Sequence, residues 1–274
     1  MSVPGALADR PIGVFDSGIG GLSVLNALRE ALPHERFAYF ADTAHAPYGE
    51  RGDAYVAQRT RTVAGYLRER HGIKALVVAC NTATAAAIHE LRAEHPAFPV
   101  VGVEPALKPA VAASKTGHVA VLATRVTVES RKFEALRASV AGQASFRIVP
   151  CDGLAGAIER GDGPGIAVLS ERYLRQAGSL GTAPGEIDTL VLGCTHYPFI
   201  AAELRRHCGN AVRFIDTGAP VALQTRRLLA QAGQLAVLGE GAVALLSSAA
   251  PEALDAAAAR WLAQPAAAAS LASA

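Results

Sequence analysis

Short, continuous apolar runs alternate along the chain with longer amphipathic or alanine-rich stretches. The runs are Ile12-Gly-Val-Phe15, Phe37 to Phe40, Ala75-Leu-Val-Val-Ala79, Pro99 to Val103, Val119-Ala-Val-Leu122, Phe146 to Val149, Thr189-Leu-Val-Leu192 and Phe214-Ile215. They are β-branched or aromatic, too short for helices, and apolar at successive positions, which predicts strands buried on both faces. Between them, Leu22 to Leu32, Ala83 to Arg92, and a stretch from Thr124 through Leu136 read as helices. Alternating strands and helices predict an α/β fold of mainly parallel sheets flanked by helices. Polar residues follow the C-terminal ends of the runs: Asp16-Ser17, Asp42-Thr43, Cys80-Asn-Thr82, Thr124 and Cys194-Thr-His196. In open α/β sheets that edge is where ligands bind.

The pattern repeats once. Ala75-Leu-Val-Val-Ala-Cys-Asn-Thr82 echoes Thr189-Leu-Val-Leu-Gly-Cys-Thr-His196, and each follows a strand with a polar tip, Val14-Phe-Asp-Ser17 and Val121-Leu-Ala-Thr124. Asp16 precedes Cys80 by 64 residues, and Thr124 precedes Cys194 by 70. This predicts two similar units, each presenting a cysteine at a strand end, and a pseudo-twofold relation that turns the cysteines toward each other. Past Ser248 the chain is mostly alanine, read as a helix through Leu262 and then a frayed end.

Composition narrows the function. A chain of 274 residues suits one large domain or two modest ones, and the repeat favours two. Hydrophobic residues make up 51% but aromatics only 5%, the excess being alanine, and no apolar stretch is long enough to span a membrane. With 26 basic and 24 acidic side chains and no block of like charge, neither nucleic acid nor a membrane surface is an expected partner. Met1 to Arg10 lacks the pattern of a signal peptide, so the expected setting is the reducing cytoplasm and the four cysteines are expected to be free thiols.

Cys80 and Cys194 share a context suited to chemistry. A cysteine between a strand and a helix lies near helix N-terminal N–H groups, which lower a thiol pKa from about 8.5 toward neutrality. Asn81-Thr82 and Thr195-His196 supply hydrogen-bonding neighbours, and His196 suits an acid–base or orienting role. Cys151 and Cys208 lack such neighbours and read as packing residues. Asp16-Ser17-Gly-Ile-Gly-Gly21 is neither a dinucleotide fingerprint nor a Walker loop. Opening a helix, it is suited to hold a small carboxylate on backbone N–H groups, with Asp16 placed to accept from an ammonium or to assist a thiol. Pro47-Tyr48-Gly49 reads as a turn. Two acid–base thiols at matching strand ends suggest proton transfer on opposite faces of one carbon. The competing reading is a metal-dependent hydrolase using Cys194 and His196 as ligands, although the close spacings of common zinc sites are missing.

Five segments together resemble the glutamate racemase family: Val14-Phe-Asp-Ser-Gly-Ile-Gly-Gly-Leu-Ser-Val24, Tyr39-Phe-Ala-Asp-Thr43, Ala46-Pro-Tyr-Gly-Glu50, Ala79-Cys-Asn-Thr-Ala-Thr84 and Leu192-Gly-Cys-Thr-His-Tyr-Pro198. The resemblance runs from about Arg10 to Leu229 and implies cofactor-independent interconversion of L- and D-glutamate, the latter for peptidoglycan. It implies Cys80 and Cys194 as the acid–base thiols, Asp16 supporting the first and His196 the second. Asp16, Ser17, Tyr48, Gly49, Asn81, Thr82, Thr195 and His196 would line the substrate site, with Thr124 and Thr127 from the second half. Glu159 stands where the family carries an acidic partner for the histidine, although Asp152-Gly153 and Gly156 depart from its usual prolines and apolar residues. His45 replaces a common arginine. The resemblance further implies residues 1–103 plus 215–274 as one α/β domain, 104–214 as the other, the site between them, and a homodimer. An aspartate or hydantoin racemase would preserve the two-thiol logic and change only the substrate.

Overall fold

The computed structural model describes residues 7–249 and 251–262. In chain order its strands are β1 (Ile12–Asp16), β2 (Phe37–Ala41), β3 (Ala75–Val78), β4 (Val100–Gly102), β5 (His118–Ala123), β6 (Ser145–Pro150), β7 (Thr189–Leu192), β8 (Arg213–Ile215) and β9 (Val243–Ser247). They form two parallel sheets, ordered β4-β3-β1-β2-β9 and β6-β5-β7-β8. Matching β5 to β1 and β7 to β3, as the sequence echo does, gives both sheets one shared order, to which the first adds β9 at its edge. The chain enters the second sheet after Gly102. It leaves after Ile215, which still pairs with Val191, and helix Gly218–Gln231 then packs on helix Leu22–Ala31 of the first unit.

Both sheets are covered on two faces, and alternation along each strand decides which face a residue fills. In β2, Phe37, Tyr39 and Ala41 join the layer under helices Leu22–Ala31 and Gly218–Gln231, while Ala38 and Phe40 join the layer under helices Asp53–His71 and Asn81–Glu94. The same rhythm runs past β3 to Cys80, which follows Leu76 and Val78, and past β7 to Cys194, which follows Leu190 and Leu192. Each cysteine thus extends an inward-facing row of a central strand to the edge where the strand stops.

Three local expectations change. The helix read from Thr124 through Leu136 is two helices, Arg125–Glu129 and Arg131–Ala138, broken at Ser130, whose hydroxyl accepts from the Phe133 N–H at 3.1 Å and caps the second. Cys80 caps helix Asn81–Glu94, but no α-helix follows Cys194 directly. Tyr197–Ile200 forms a 3₁₀ turn containing Pro198, and helix Ala201–Cys208 starts only after it. Strand β9 was not expected, because a short apolar run bounded by glycine has no period that separates strand from helix. It is a strand because the open edge of β2 offers it a ladder from Phe37 to Ala41. Helix Pro251–Trp261 appears as expected, and the frayed end lies outside the described residues. Among the described residues no helix is long and apolar enough to cross a membrane.

Two buried ionic groups stand at the ends of strands away from the cysteines. Lys74, before β3, places Nζ 2.5 Å from Glu35 Oε2 with both side chains within 1% of full burial. Asp188, before β7, accepts from Ser114 Oγ at 2.6 Å, from the N–H groups of Lys115 and Thr116 at 2.6 and 3.1 Å, and from Thr189 Oγ1 at 2.9 Å. Burial by itself raises the Asp188 pKa, but these donors outweigh it and hold it at about 2. A carboxyl depressed on folding stabilises the native state above its unfolded pKa, and the gain disappears as pH falls from about 4 to 2. Asp188→Asn is expected to cost about 2 kcal/mol at neutral pH, with the gap to the parent closing toward pH ~2. Urea melts across that range check it, and an equal gap at both ends would contradict the assignment.

Candidate active site

The polar strand ends of the two sheets meet around one cleft of about 540 Å³, in the range of small-molecule sites. From the first unit come Ser17, Gly18, the segment Ala46 to Gly49, and Cys80, Asn81 and Thr82. From the second come Thr124, Glu159, Cys194, Thr195 and His196. Of the residues expected at the site, Asp16 and Thr127 do not line it. Asp16 is fully buried beneath it, and Thr127 stands behind Thr124, their hydroxyls 2.8 Å apart.

Cys80 Sγ lies 3.7 Å from Ser17 Oγ and accepts from the Ala83 N–H at 3.5 Å. Helix N–H groups therefore do reach the sulfur, but they do not lower its pKa as expected. Burial dominates, the Asp16 charge adds to it, and the thiol is pushed up to about 12, with Ala83 and Ser17 pulling only weakly the other way. In the open cleft Cys80 is a thiol. Asp16 does not bond the sulfur directly. Its Oδ1 accepts from Ser17 Oγ at 3.1 Å, so its link to Cys80 runs through Ser17 and through charge. Burial first of all raises the Asp16 pKa, and the nearby His196 works against it.

Cys194 has a different helper. Its Sγ lies 3.7 Å from His196 Nδ1, and His196 Nε2 lies 2.5 Å from Glu159 Oε2. Burial alone lowers an imidazole pKa, but the bonds to Cys194 and Glu159 reverse this and hold His196 well above its ordinary value. Among the described residues no three His, Cys, Asp or Glu side chains group as the metal of the competing reading would need.

Two N–H groups of the glycine-rich loop already serve carboxylates of the protein. Gly18 N–H donates to Asp16 Oδ1 at 2.9 Å and Ile19 N–H donates to Glu159 Oε1 at 3.1 Å, so side chains of the protein occupy these donors. The loop instead receives the second unit. A Cβ on Gly18 would stand 2.3 Å from Glu159 Oε1, and one on Gly20 2.4 Å from His196 Nδ1. The return contact is Thr195 Oγ1 donating to Asp16 Oδ2 at 3.0 Å. Each unit thus sends one carboxylate to the other at the cleft floor.

Asn81 is 5% exposed, and neither its amide nitrogen nor its amide oxygen has a hydrogen-bond partner among the described residues. A buried amide left this way on a cleft wall suits a ligand carrying both an acceptor and a donor. Tyr48 and Gly49 form a 3₁₀ turn with Glu50, and Tyr48 donates to Asp42 Oδ2 at 2.6 Å. His45 Nδ1 sits 3.0 Å from Asp42 Oδ1. Sequence reasoning missed Cys151, Arg125 and Arg160 on the cleft wall. Two of them carried a visible signal, since Arg125 follows the polar tip of β5 and Cys151 follows the end of β6, whereas Arg160 ends helix Leu154–Glu159. Cys208 is remote from the cleft, its thiol donating to Leu204 O within its own helix at 3.2 Å.

The Asp/Glu/Hydantoin racemase family description matches residues 12–225. A glutamate racemase of Pseudomonas syringae pv. tomato is 47% identical over 230 residues, covering 83% of this chain and 82% of its own. One from Ralstonia pickettii is 50% identical, over 82% of this chain and 78% of its own. Among solved structures, Escherichia coli glutamate racemase in complex with L-glutamate and the activator UDP-MurNAc-Ala superposes with a TM-score of 0.77 at 31% identity, covering 92% of this chain and 95% of that one. The likeness spans both sheets and the cleft between them, and on these grounds the chain belongs to the Asp/Glu/Hydantoin racemase family.

Proposed function

We propose that this protein interconverts L- and D-glutamate by passing the α-proton between two thiols. The observation that carries the reading is the pair itself: Cys80 and Cys194, from different units, line one cleft, each beside its own proton-handling partner. One sulfur, as thiolate, takes the α-proton, so the Cα–H bond breaks and an S–H bond forms. The electron pair left on Cα spreads into the substrate carboxylate. The other sulfur, as thiol, returns a proton to the opposite face and becomes the thiolate. The two thiols have then exchanged states, and the reverse reaction uses them in reverse order.

The surroundings fit unequal helpers. Cys80 rests as a thiol because burial and Asp16 oppose its charge, and a substrate ammonium brought into the cleft supplies the positive charge that favours thiolate. Protonated His196, held by Glu159, stabilises a Cys194 thiolate or restores its proton. The Asn81 amide, with Thr82 and Thr195, is placed to hold the α-carboxylate and ammonium, and fixed dipoles there stabilise charge that develops on the carboxylate. Ser17, Tyr48 and Gly49 would receive the far carboxylate. Glutamate is favoured over aspartate or a hydantoin because relatives named glutamate racemase stand at 46–50% identity over four-fifths or more of the chain. Supply of D-glutamate to peptidoglycan, a cytoplasmic location and a homodimer belong to the same proposal.

Incubating either glutamate enantiomer with the protein in D₂O tests it. Loss of optical rotation is expected together with deuterium at Cα. Absence of exchange from both enantiomers would defeat the reading.

A further inference from the structure

One buried carboxylate beside the cleft has no place in the proton transfer. Asp42 follows β2 and is 0% exposed, yet it gathers three side chains. Its Oδ2 accepts from Tyr48 OH at 2.6 Å and from Arg59 Nε at 3.0 Å. Its Oδ1 accepts from Arg59 Nη2 at 3.0 Å and lies 3.0 Å from His45 Nδ1. Arg59 belongs to helix Asp53–His71, and its two-pronged grip fixes the carboxylate plane. The carboxylate in turn fixes Tyr48, whose ring packs against Phe15 with centroids 6.1 Å apart.

Neither Asp42 nor Arg59 lines the cleft, whereas Ala46, Pro47, Tyr48 and Gly49 do. The segment is tied at its other side by Thr43 Oγ1 to Ser247 Oγ at 2.8 Å and by the Ala44 N–H to Ser248 Oγ at 3.0 Å. Gly49 faces the second unit, where a Cβ on it would lie 3.9 Å from Thr124. The wall is therefore thin: short turns hung between the end of β2, the end of β9 and one ionic clamp. Burial favours a neutral Asp42, but the bonds from Arg59 and Tyr48 outweigh it and keep the group a carboxylate below its ordinary pKa.

We propose that Arg59 is a positioning residue: through Asp42 it holds the Ala46 to Gly49 wall in place and thereby sets the affinity for the substrate. The inference rests on the proposal that this wall receives the substrate's far carboxylate. Arg59 touches neither a thiol nor a proton-transfer partner. Its loss is felt in binding shared by ground state and transition state, which raises KM and leaves kcat. Removing the guanidinium also takes the two-pronged partner from a buried carboxylate and leaves it to Tyr48, His45 and the Ser248 hydroxyl, so the turns around it loosen.

The test uses Arg59→Met and the milder Arg59→Lys, which keeps charge but loses the fork. Amide hydrogen exchange in residues 43–50 is expected to rise about tenfold in Arg59→Met relative to β3, with KM for glutamate rising about tenfold and kcat staying within about twofold. Arg59→Lys, expected to fall between parent and Arg59→Met in both readouts, carries the test if Arg59→Met does not fold. Unchanged exchange in residues 43–50, or a fall in kcat at constant KM, overturns the inference. If the parent protein leaves glutamate unracemised, the functional proposal fails, and the exchange result still decides whether Arg59 holds the wall.

Discussion

Cys80→Ser and Cys194→Ser are each expected to lower glutamate racemisation by at least ~10³-fold, within the range a positioned acid–base group supplies. Serine keeps the size and the burial of either site, so folding is expected to survive. The hydroxyl does not ionise at neutral pH, and neither the substrate's ammonium nor His196 brings it within reach. Two different lesions give one loss, because a racemase needs both faces: a missing base stops removal from one enantiomer, and a missing acid stops delivery to the other. Polarimetry from each enantiomer, with deuterium incorporation followed in parallel, measures it. Parent-like turnover in either variant would remove that thiol from the reaction. Full loss in only one would convert the proposal into one-base chemistry.

The largest stability effect is expected at Lys74. Its ammonium reaches Glu35 Oε2 at 2.5 Å, and also donates to Ala8 O at 2.5 Å and Gln234 O at 2.9 Å. Glu35 Oε1 accepts from the Ala236 N–H at 2.8 Å. One buried pair thus joins the segment before β1, the turn before β2 and the chain leading to β9. Lys74→Met leaves the Glu35 carboxylate buried with no countercharge, at a cost of about 3–5 kcal/mol. The pair itself contributes much less, since taking both charges out of water offsets most of their attraction. Lys74→Met/Glu35→Leu is therefore expected to recover only part of the loss, because it removes the orphaned charge but leaves Ala8 O, Gln234 O and the Ala236 N–H without these partners. Urea unfolding of the two variants measures this. A single variant within about 1 kcal/mol of the parent would show that water or backbone relaxation compensates the orphaned carboxylate. Activity per folded molecule is expected to stay at the parent level in both, because the pair lies at the opposite strand ends from the thiols.

The two-unit plan was legible because period and position are local properties. Runs such as Ala75-Leu-Val-Val and Thr189-Leu-Val-Leu are apolar on both faces, so they announce central strands, and a cysteine directly after each lands at the sheet edge. The shared strand order of the two sheets is the same echo in three dimensions. Strand β9 was not legible, since what makes it a strand is the free edge of β2, some 200 residues earlier in the chain. The break at Ser130 was missed because a capping serine inside a helical pattern looks like any polar helix position until its hydroxyl turns to the Phe133 N–H.

The sequence by itself determined where the candidate groups stand: two thiols after matching strands and a histidine two positions beyond the second, with an acidic residue after β6 marked by the family resemblance. The direction of the two thiols follows from the pleat, which alternates residue by residue. The tertiary structure decided what state each group rests in and what holds it. A helix N-terminus argued for a depressed thiol pKa at Cys80, yet burial and the Asp16 charge outweigh it and push the thiol up to about 12. The glycine loop looked like an anion cradle, yet two of its N–H groups, those of Gly18 and Ile19, are taken by Asp16 and by Glu159 from the other unit. Asp42 showed only as the polar tip of a strand, and its pairing with Arg59 gave no signal. For the thiol and the clamp the deciding quantity is burial and charge set by packing within the first unit, and for the loop it is also a carboxylate reaching across from the second.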